Sequence, residues 1–396
     1  MALQPWQRNL AIICATEFGT MMAFSFVDPL LPLRIQQVGG FTTKEAAFWA
    51  GLATSGLGVV MFFVSPLWGV VADRFGRKLM VLRAMFGGAI VISLIGLAGS
   101  VYLIVGLRWL QGMLTGSVAA ASALAATMTP RERLPFAIGM IMVAIFTGGS
   151  LGPFLGGIVA DHLGYQATFF FSSGMLLVSG AVVLVFIKEG FHRPAKGEGV
   201  SLRSTFRLAK SREMLPLLIA MALLNFGPSM VGPLISLRVK ELDPAGQAAT
   251  ASGLTFSLMG ATAAVSSFAS GRLGGRVKLA TIMVFSCVMA GLLYLPPIWA
   301  GTVGALMVLL AVGGLVRGGI STTSNAMVGL SVPSGQEGIA YGLSQSASSL
   351  GGGLGPLVGG SVASAAGIRP VFGMAAVVYV FVGFYVSRFL FRKAKP

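Results

Sequence analysis

The sequence predicts an all-α integral membrane protein with twelve transmembrane helices in two pseudo-symmetric bundles of six. Composition, recurring apolar runs and an internal repeat support this prediction. Of the 396 residues, 55% are hydrophobic and only 10% are charged, and the mean hydropathy is +0.85. Because soluble domains carry roughly 25% charged residues, this composition excludes an ordinary soluble fold.

Apolar runs long enough to cross a bilayer as helices recur along the whole chain. No strand-like alternation competes with them, which favours a helical bundle over a β-barrel. No cleavage site follows the first apolar run, so we expect that run to remain as the first helix. The predicted spans are 10–33, 46–70, 79–98, 102–127, 136–160, 165–187, 214–237, 248–270, 279–299, 302–330, 338–366 and 370–390.

The chain is strongly basic, with 28 Lys and Arg residues against 12 Asp and Glu residues and a formal net charge of +16. These basic residues concentrate in the connections on one side of the predicted bundle. This positive-inside pattern predicts a multi-pass protein of the inner (plasma) membrane with both termini in the cytoplasm. The charge therefore indicates a lipid bilayer around the chain and no nucleic-acid partner. Cys14 and Cys287 lie in apolar runs and predict neither a disulfide framework nor a metal site, and we expect no cofactor.

A single long polar segment, from Lys188 to Glu213, separates six spans from six. The predicted division is an N-terminal bundle of residues 1–187, a cytoplasmic linker of residues 188–213 and a C-terminal bundle of residues 214–396. The halves repeat each other at nearly constant spacing: PLLPLR at Pro29 recurs as PLISLR at Pro233, and GGSLGPFLGG at Gly148 recurs as GGGLGPLVGG at Gly351. Such halves are typical of secondary transporters, whose binding site lies between them near the membrane midplane.

Four segments resemble the major facilitator superfamily, and the resemblance covers the whole chain. The loop after span two, GVVADRFGRK from Gly69 to Lys78, matches the family pattern G-x-x-x-D-R-x-G-R-K/R. Span four carries RWLQG from Arg108 to Gly112, which matches R-x-x-Q-G. The span-five sequence at Gly148 and the segment from Phe24 to Pro32 are similar to the twelve-helix drug/proton antiporter branch. The resemblance implies a proton-coupled exporter that works by alternating access.

The resemblance also implies roles for two of these motifs. The loop would form a cytoplasmic gate, although its basic residues are also ordinary positive-inside anchors; the gate residues are Gly69, Asp73, Arg74, Gly76, Arg77 and Lys78. The equivalent stretch from Gly271 to Arg276 lacks the acid, so we expect a stronger gate in the first half. The span-five motif would let a kinked span five pack on span eight, or serve as generic helix packing; its residues are Gly148, Gly152, Pro153, Gly156 and Gly157.

Two carboxylates, Glu17 and Asp28, lie within span one about three helical turns apart and therefore on one face. Charged residues at membrane depth usually face the bundle interior and mark ion or proton pathways. Arg108 enters span four at the depth of Asp28, and a buried guanidinium needs an acceptor, so we expect these two to pair. The pairing stabilises ionised Asp28, whereas burial favours protonated Glu17, so we expect Glu17 to exchange protons near neutral pH. The alternatives are a helix-end charge for Glu17 and a helix cap for Asp28.

The predicted substrate cavity lies between spans one, four, five, seven and ten. Soft Met and Phe side chains suit a site that adapts to many ligand shapes, although such residues are also common in helix packing. The two carboxylates favour hydrophobic or cationic substrates, whereas Arg108 and Arg317 would also permit zwitterions or anions. The candidate cavity residues are Met21, Phe24, Gln111, Phe146, Met221, Asn225, Phe226 and Arg317.

Three other functions remain as alternatives at this point. The first is export of one dedicated metabolite, such as a sugar, an amino acid or a lysolipid, and the second is a membrane receptor that transports nothing. An enzyme is disfavoured because His162 and His192 lie outside the spans and no cluster of catalytic residue types lies within them. The expected partners are a small-molecule substrate and protons, and we expect a monomer.

Overall fold

A computed structural model describes residues 4–130, 133–189, 208–211, 214–273, 277–330 and 337–390. The described chain is built from helices: α1 Pro5–Val27, α2 Leu31–Gly39, α3 Thr43–Phe75, α4 Arg77–Leu97, α5 Val101–Leu114, α6 Ser117–Met128, α7 Leu134–Phe186, α8 Met214–Leu242, α9 Ala248–Leu273, α10 Leu279–Leu293, α11 Val303–Leu330, α12 Glu337–Ala366 and α13 Arg369–Leu390. Within these residues, nine helical stretches are long and apolar enough to cross a membrane. Most of the predicted linker 188–213 lies outside the described residues.

Spans one and four differ from the uninterrupted helices that the sequence predicted. After α1, span one continues through a short 3-10 turn, Asp28–Leu30, into α2. Span four is broken into α5 and α6 because Gly116 takes a φ of 112°, a left-handed conformation that glycine adopts without a steric penalty. Spans five and six form α7, whose two parts meet at Gly164 with a φ of 85°.

The span-five motif packs on two helices: Gly148, Gly152 and Gly156 face span one, whereas Pro153 and Gly157 face span eight, the helix that the resemblance implied. A Cβ added at Gly148, Gly152 or Gly156 would lie 2.1–2.3 Å from atoms of the α1 segment 18–26. Residues four apart share one helix face, so these three glycines form one stripe. Gly157 is rotated by about 100° from Gly156 and reaches span eight: its Cβ would lie 2.4 Å from the Ala249 carbonyl oxygen of α9. Pro153 does so as well, since a Cβ added at Gly253 of α9 would lie 2.0 Å from the Pro153 carbonyl oxygen.

The second half repeats this packing. A Cβ added at Gly351, Gly355 or Gly359 would lie 1.9–2.2 Å from atoms of the α8 segment 222–230. Ser229 Oγ donates to the Gly351 carbonyl oxygen at 3.3 Å, as Ser25 Oγ does to that of Gly148 at 3.4 Å. The repeat in the sequence is therefore a repeat of backbone contacts.

The two halves meet at the end of the molecule away from the chain termini, which we call the distal end. Gly157 of α7 lies against Ala249 of α9, and Gly360 of α12 lies against Ala47 of α3 in the related contact. Ser236 of α8 donates a short hydrogen bond to the Pro29 carbonyl oxygen. Among the described glycines, these close backbone approaches extend inward as far as Gly58 and Gly353. The distal end is therefore closed.

Candidate functional site

Glu17 lies at the centre of the site, near the middle of span one. Its side chain is fully buried, and one of its oxygens, Oε2, accepts a hydrogen bond from Ser117 Oγ at 3.3 Å. The other oxygen, Oε1, is buried and has no hydrogen-bond partner. Because a buried carboxylate with unused acceptors is costly in its ionised form, this arrangement suits a group that takes up a proton.

Asp28 and Arg108 form an ion pair at the distal end of α1. Arg108 Nη2 lies 2.9 Å from Asp28 Oδ1, and Arg108 Nη1 donates to Gln111 Oε1 at 2.8 Å. The Arg108 side chain is 5% exposed, whereas that of Asp28 is 51% exposed. The arginine is therefore held inside the bundle, while its carboxylate partner remains accessible.

The two carboxylates of α1 contact different parts of the broken span four. Asp28 is bound by Arg108 of α5, whereas Glu17 is bound by Ser117, the first residue of α6. The N-terminus of a helix carries unpaired N–H groups and a partial positive charge, which favour a nearby anion. Broken helices whose ends face ionic groups are a feature of transporter binding sites. The sequence analysis did not predict this break, although Gly116, as a glycine within a predicted span, could have indicated it.

Two side chains from neighbouring helices cover the break. Arg83 of α4 donates through Nη2 to the Thr115 carbonyl oxygen at 3.1 Å. Trp68 of α3 donates through Nε1 to the Met113 carbonyl oxygen at 2.7 Å. The guanidinium of Arg83 lies 3.8 Å from the centre of the Trp68 ring, within the range of a cation–π contact. The sequence analysis singled out neither residue, because an arginine near the basic end of a span is typical of the positive-inside pattern.

Part of the predicted gate lies at the terminal end of the first half, where α4 begins. The backbone N–H groups of Arg77 and Lys78 donate to the two carboxylate oxygens of Glu189, each at 2.9 Å. Lys78 Nζ donates in return to the Leu184 carbonyl oxygen at 2.8 Å. Gly76 takes a φ of 95° in the turn before α4. The side-chain surroundings of Gly69, Asp73 and Arg74 are outside the described part of the chain.

The predicted cavity residues do not gather around one opening. Met221 is a correction: it is 6% exposed and packs in a core cluster with Met214 and Val328. The Phe24 ring lies against Gly88, and Gln111 is buried beside Arg108. The remaining predictions have mixed environments: Met21 is half-buried, Phe146 is exposed, Asn225 donates to the Met221 carbonyl oxygen, and Phe226 packs on the second-half core.

Arg317 of α11 borders a small enclosed pocket in the second half. Tyr294 and Tyr379 line the same pocket, where their rings stack with centroids 5.4 Å apart. A much larger apolar groove, about 700 Å³, lies between α1 and the second part of α7. None of the predicted cavity residues lines this groove; its wall includes Thr16, Gly19, Met22, Phe170, Phe171 and Val178.

Comparisons with known proteins give consistent results over the whole chain. The family described as Major Facilitator Superfamily matches residues 13–300 and 245–396. The chain is 32% identical to Multidrug resistance protein MdtG of Escherichia fergusonii over 99% of this chain and 96% of that protein. It is 33% identical to the protein of that name from Enterobacter lignolyticus, over 98% and 93%. A bacterial homolog of the human lysosomal transporter Spinster, solved in an inward-facing and occupied conformation, shares the fold with a TM-score of 0.80 and 12% identity, over 98% of both chains.

Proposed function

This chain belongs to the Major Facilitator Superfamily, and we propose that it is a proton-coupled exporter of hydrophobic or cationic small molecules that works by alternating access. Members of the superfamily are multi-pass membrane transporters of small molecules rather than enzymes. The proposal adds the coupling ion, the direction of transport and the class of substrate. We further propose that the protein is a monomer, and that a cytoplasmic linker of residues 188–213 joins an N-terminal bundle, 1–187, to a C-terminal bundle, 214–396. Both termini would lie in the cytoplasm.

The observation that carries the proposal is the environment of Glu17. A carboxylate that is fully buried, has one unpaired oxygen and lies beside the start of α6 can exist in two protonation states inside the membrane. Protonation removes the charge that the α6 N-terminus and Ser117 stabilise, so proton binding changes the contact between span one and span four. That coupling is what a proton-driven transporter requires.

Alternating access is supported by the geometry of the distal end. Close glycine contacts join α3 to α12 and α7 to α9, and transport requires that they separate and form again. With the termini in the cytoplasm, the closed distal end corresponds to an inward-facing state. The accessible carboxylate of Asp28 and the names of the relatives support a cationic or hydrophobic drug as substrate.

The test is the substitution Glu17→Gln in purified protein reconstituted into liposomes. We expect proton-driven transport of a lipophilic cationic dye to be lost, while exchange of dye across the membrane without a proton gradient continues. Glu45→Gln, at an exposed acid outside the site, serves as the matched control and keeps both activities. Normal proton-driven transport by the Glu17→Gln protein would contradict the proposal.

Export of a dedicated metabolite is the second candidate, and Arg317 favours it. A guanidinium beside Tyr294 and Tyr379 can bind an anionic or zwitterionic group once the helices separate, because the pocket in this conformation, about 10 Å³, has room for about one water molecule. Competition between chemically unrelated compounds separates the two candidates. A multidrug exporter shows mutual competition among several lipophilic cations, whereas a dedicated exporter responds to one compound and its close analogues.

A further inference from the structure

We propose that Arg83, supported by Trp68, is a positioning residue for Glu17: it holds the break in span four in the conformation that presents Ser117 and the start of α6 to that carboxylate. The inference rests on the proposed function, because it concerns the same proton site. Within the described residues, no hydrogen bond or ion pair joins Arg83 or Trp68 to Glu17, and each instead donates to the backbone of span four.

The break in span four exposes backbone carbonyl groups. When a helix ends, its last carbonyl oxygens lose their partners inside the helix and need other donors at membrane depth. Trp68 supplies an indole N–H to Met113, and Arg83 supplies a guanidinium N–H to Thr115. The Thr115 hydroxyl and N–H both remain bonded to the Gln111 carbonyl oxygen, at 2.8 and 2.9 Å, which completes the end of α5.

Few residues separate the carbonyl that Arg83 binds from the serine that binds Glu17. The acceptor of Arg83 is the carbonyl of Thr115; Gly116 follows, and Ser117 then donates to Glu17. Gly116 has a left-handed backbone and no side chain, so neighbouring residues must fix the relative direction of α5 and α6. Arg83 lies directly at this point, since a Cβ added at Gly116 would lie 3.9 Å from Arg83 Nη2.

Trp68 fixes Arg83 in turn. The ring lies against the face of the guanidinium, and Arg83 Nη1 also contacts Met80 Sδ at 3.8 Å. Nε is buried without a partner, and a thioether sulfur is a weak acceptor, so the strongest described hydrogen bond of this arginine is the one to the Thr115 carbonyl of span four. Three helices, α3, α4 and α5, therefore converge on the break that orients Ser117.

The experiment measures proton-driven transport and substrate exchange in liposomes for Glu17→Gln, Arg83→Gln and the double variant. A hydrogen bond from a charged group contributes enough that its loss should lower proton-driven transport about tenfold or more. Exchange should stay within about twofold of the native rate, because removing this contact leaves the substrate path intact. The double variant should match Glu17→Gln alone, since both substitutions act on one group.

Three comparisons make the outcome decisive. Arg83→Lys keeps the cation over Trp68 and one donor, so it should restore most of the coupled transport. Arg34→Gln removes an arginine that donates to the carbonyl oxygens of Gly96 and Ala98 at the distal end, and it should leave coupling intact. If Arg83→Gln proves unstable, Trp68→Phe keeps a ring and removes the donor to Met113, and a smaller loss of coupling is expected.

The two proposals fail in different ways. Normal coupling in Glu17→Gln overturns the proposed function and this inference with it. A coupling defect in Glu17→Gln together with native coupling in Arg83→Gln overturns only the positioning role. The positioning role is also overturned if Arg83→Gln lowers the exchange that remains in the Glu17→Gln protein, or if it lowers exchange as much as coupled transport in the native protein.

Discussion

Span one and its repeat-related partner, span seven, have the same packing and different chemistry. Both α1 and α8 lie against a glycine stripe from a neighbouring helix, and each donates a serine hydroxyl to the first glycine carbonyl of that stripe. The positions of α8 that correspond to Glu17 and Asp28 are Met221 and Gly232. The duplicated chain has therefore kept its helix contacts and confined its embedded carboxylates to one half.

Spans four and ten differ in the same way. Span four is broken at Gly116, where Arg83 and Trp68 bind the exposed carbonyl oxygens. Its partner is α11, one helix from Val303 to Leu330 that carries Arg317 near its middle. Close backbone packing is needed in both halves, because each must separate from and return to the other. The proposed proton site would be needed only once, so its polar residues would need no counterpart in the second half.

The strongest test of this comparison is to block the repeated contacts between the halves. Gly157→Val and Gly360→Val each place a side chain where a Cβ would lie 2.4–2.5 Å from a backbone carbonyl oxygen of the opposite half. Because backbone cannot yield as a flexible side chain does, we expect each variant to lose at least about tenfold in transport rate. Spin labels on the distal loops should report a longer distance between the halves in both variants.

The repeat also supplies matched controls for this test. Gly149 and Gly352 occupy equivalent positions, and a Cβ at either one meets nothing within 4 Å. Gly149→Val and Gly352→Val should therefore transport at close to the native rate. An equal loss of transport rate in all four variants would mean that valine disturbs these helices generally. It would contradict the role given to the contacts between the halves.

A smaller effect is expected at the first turns of α3 and α9, which are related by the repeat but are capped by different residues. The first turn of α3 is capped by its own Thr42 and Glu45. In contrast, Asp161 from the first half accepts from the Thr250 N–H of α9 at 2.7 Å. Asp161→Ala should therefore weaken distal closure by about 1 kcal/mol, or roughly fivefold in the ratio of open to closed molecules.

The distance between spin labels on the distal loops measures that ratio. Glu45→Ala is the matched control, because it removes a cap that lies within one half. It should lower the stability of α3 and leave the ratio of open to closed molecules unchanged. An unchanged ratio in Asp161→Ala would show that the cap between the halves does not contribute to closure.

The smallest effect concerns acid sensitivity at the start of α3. The Thr42 backbone N–H and hydroxyl donate to Glu45 at 3.0 and 2.9 Å and hold the pKa of that carboxyl below its ordinary value of 4.5. Because the folded-state pKa is the lower one, Glu45 stabilises the folded protein above pH 4.5, and this contribution is lost as the pH falls through the folded-state value. The melting temperature of Glu45→Gln should therefore lie slightly below the native one near neutral pH, and the gap should close on acidification. A constant gap would contradict this account.

Much of the architecture could be predicted because membrane helices leave strong local signals. The spans follow from hydropathy, and the repeat in glycine and proline positions indicated that the two halves share one arrangement of helices. That the stripes of Gly148 and Gly351 pack on α1 and α8 was not predicted. The carboxylates of span one were singled out because embedded charge is rare, and depth alone suggested that Arg108 lies near Asp28. The roles of these residues in proton coupling stay predictions.

Other features could not be predicted because they depend on which helix faces fall together. Met221 was expected in the cavity wall but lies in a core cluster, since a methionine suits either place equally well. Glu189 caps α4 from beyond the end of α7, a contact between segments far apart in the chain. No periodicity or spacing in the sequence connects such pairs.

The sequence by itself determined the class of fold, the two halves and the two embedded acids, because the bilayer excludes polar groups and makes each exception conspicuous. Only the tertiary structure decided how those acids differ. It showed that Asp28 pairs with an arginine of α5, whereas Glu17 accepts a hydrogen bond from the first residue of α6. These two contacts lie on either side of a break whose carbonyl groups accept hydrogen bonds from Arg83 and Trp68. The physical reason is that hydrogen bonds to exposed backbone carbonyls form between neighbouring helices, and only the packed bundle brings those neighbours together.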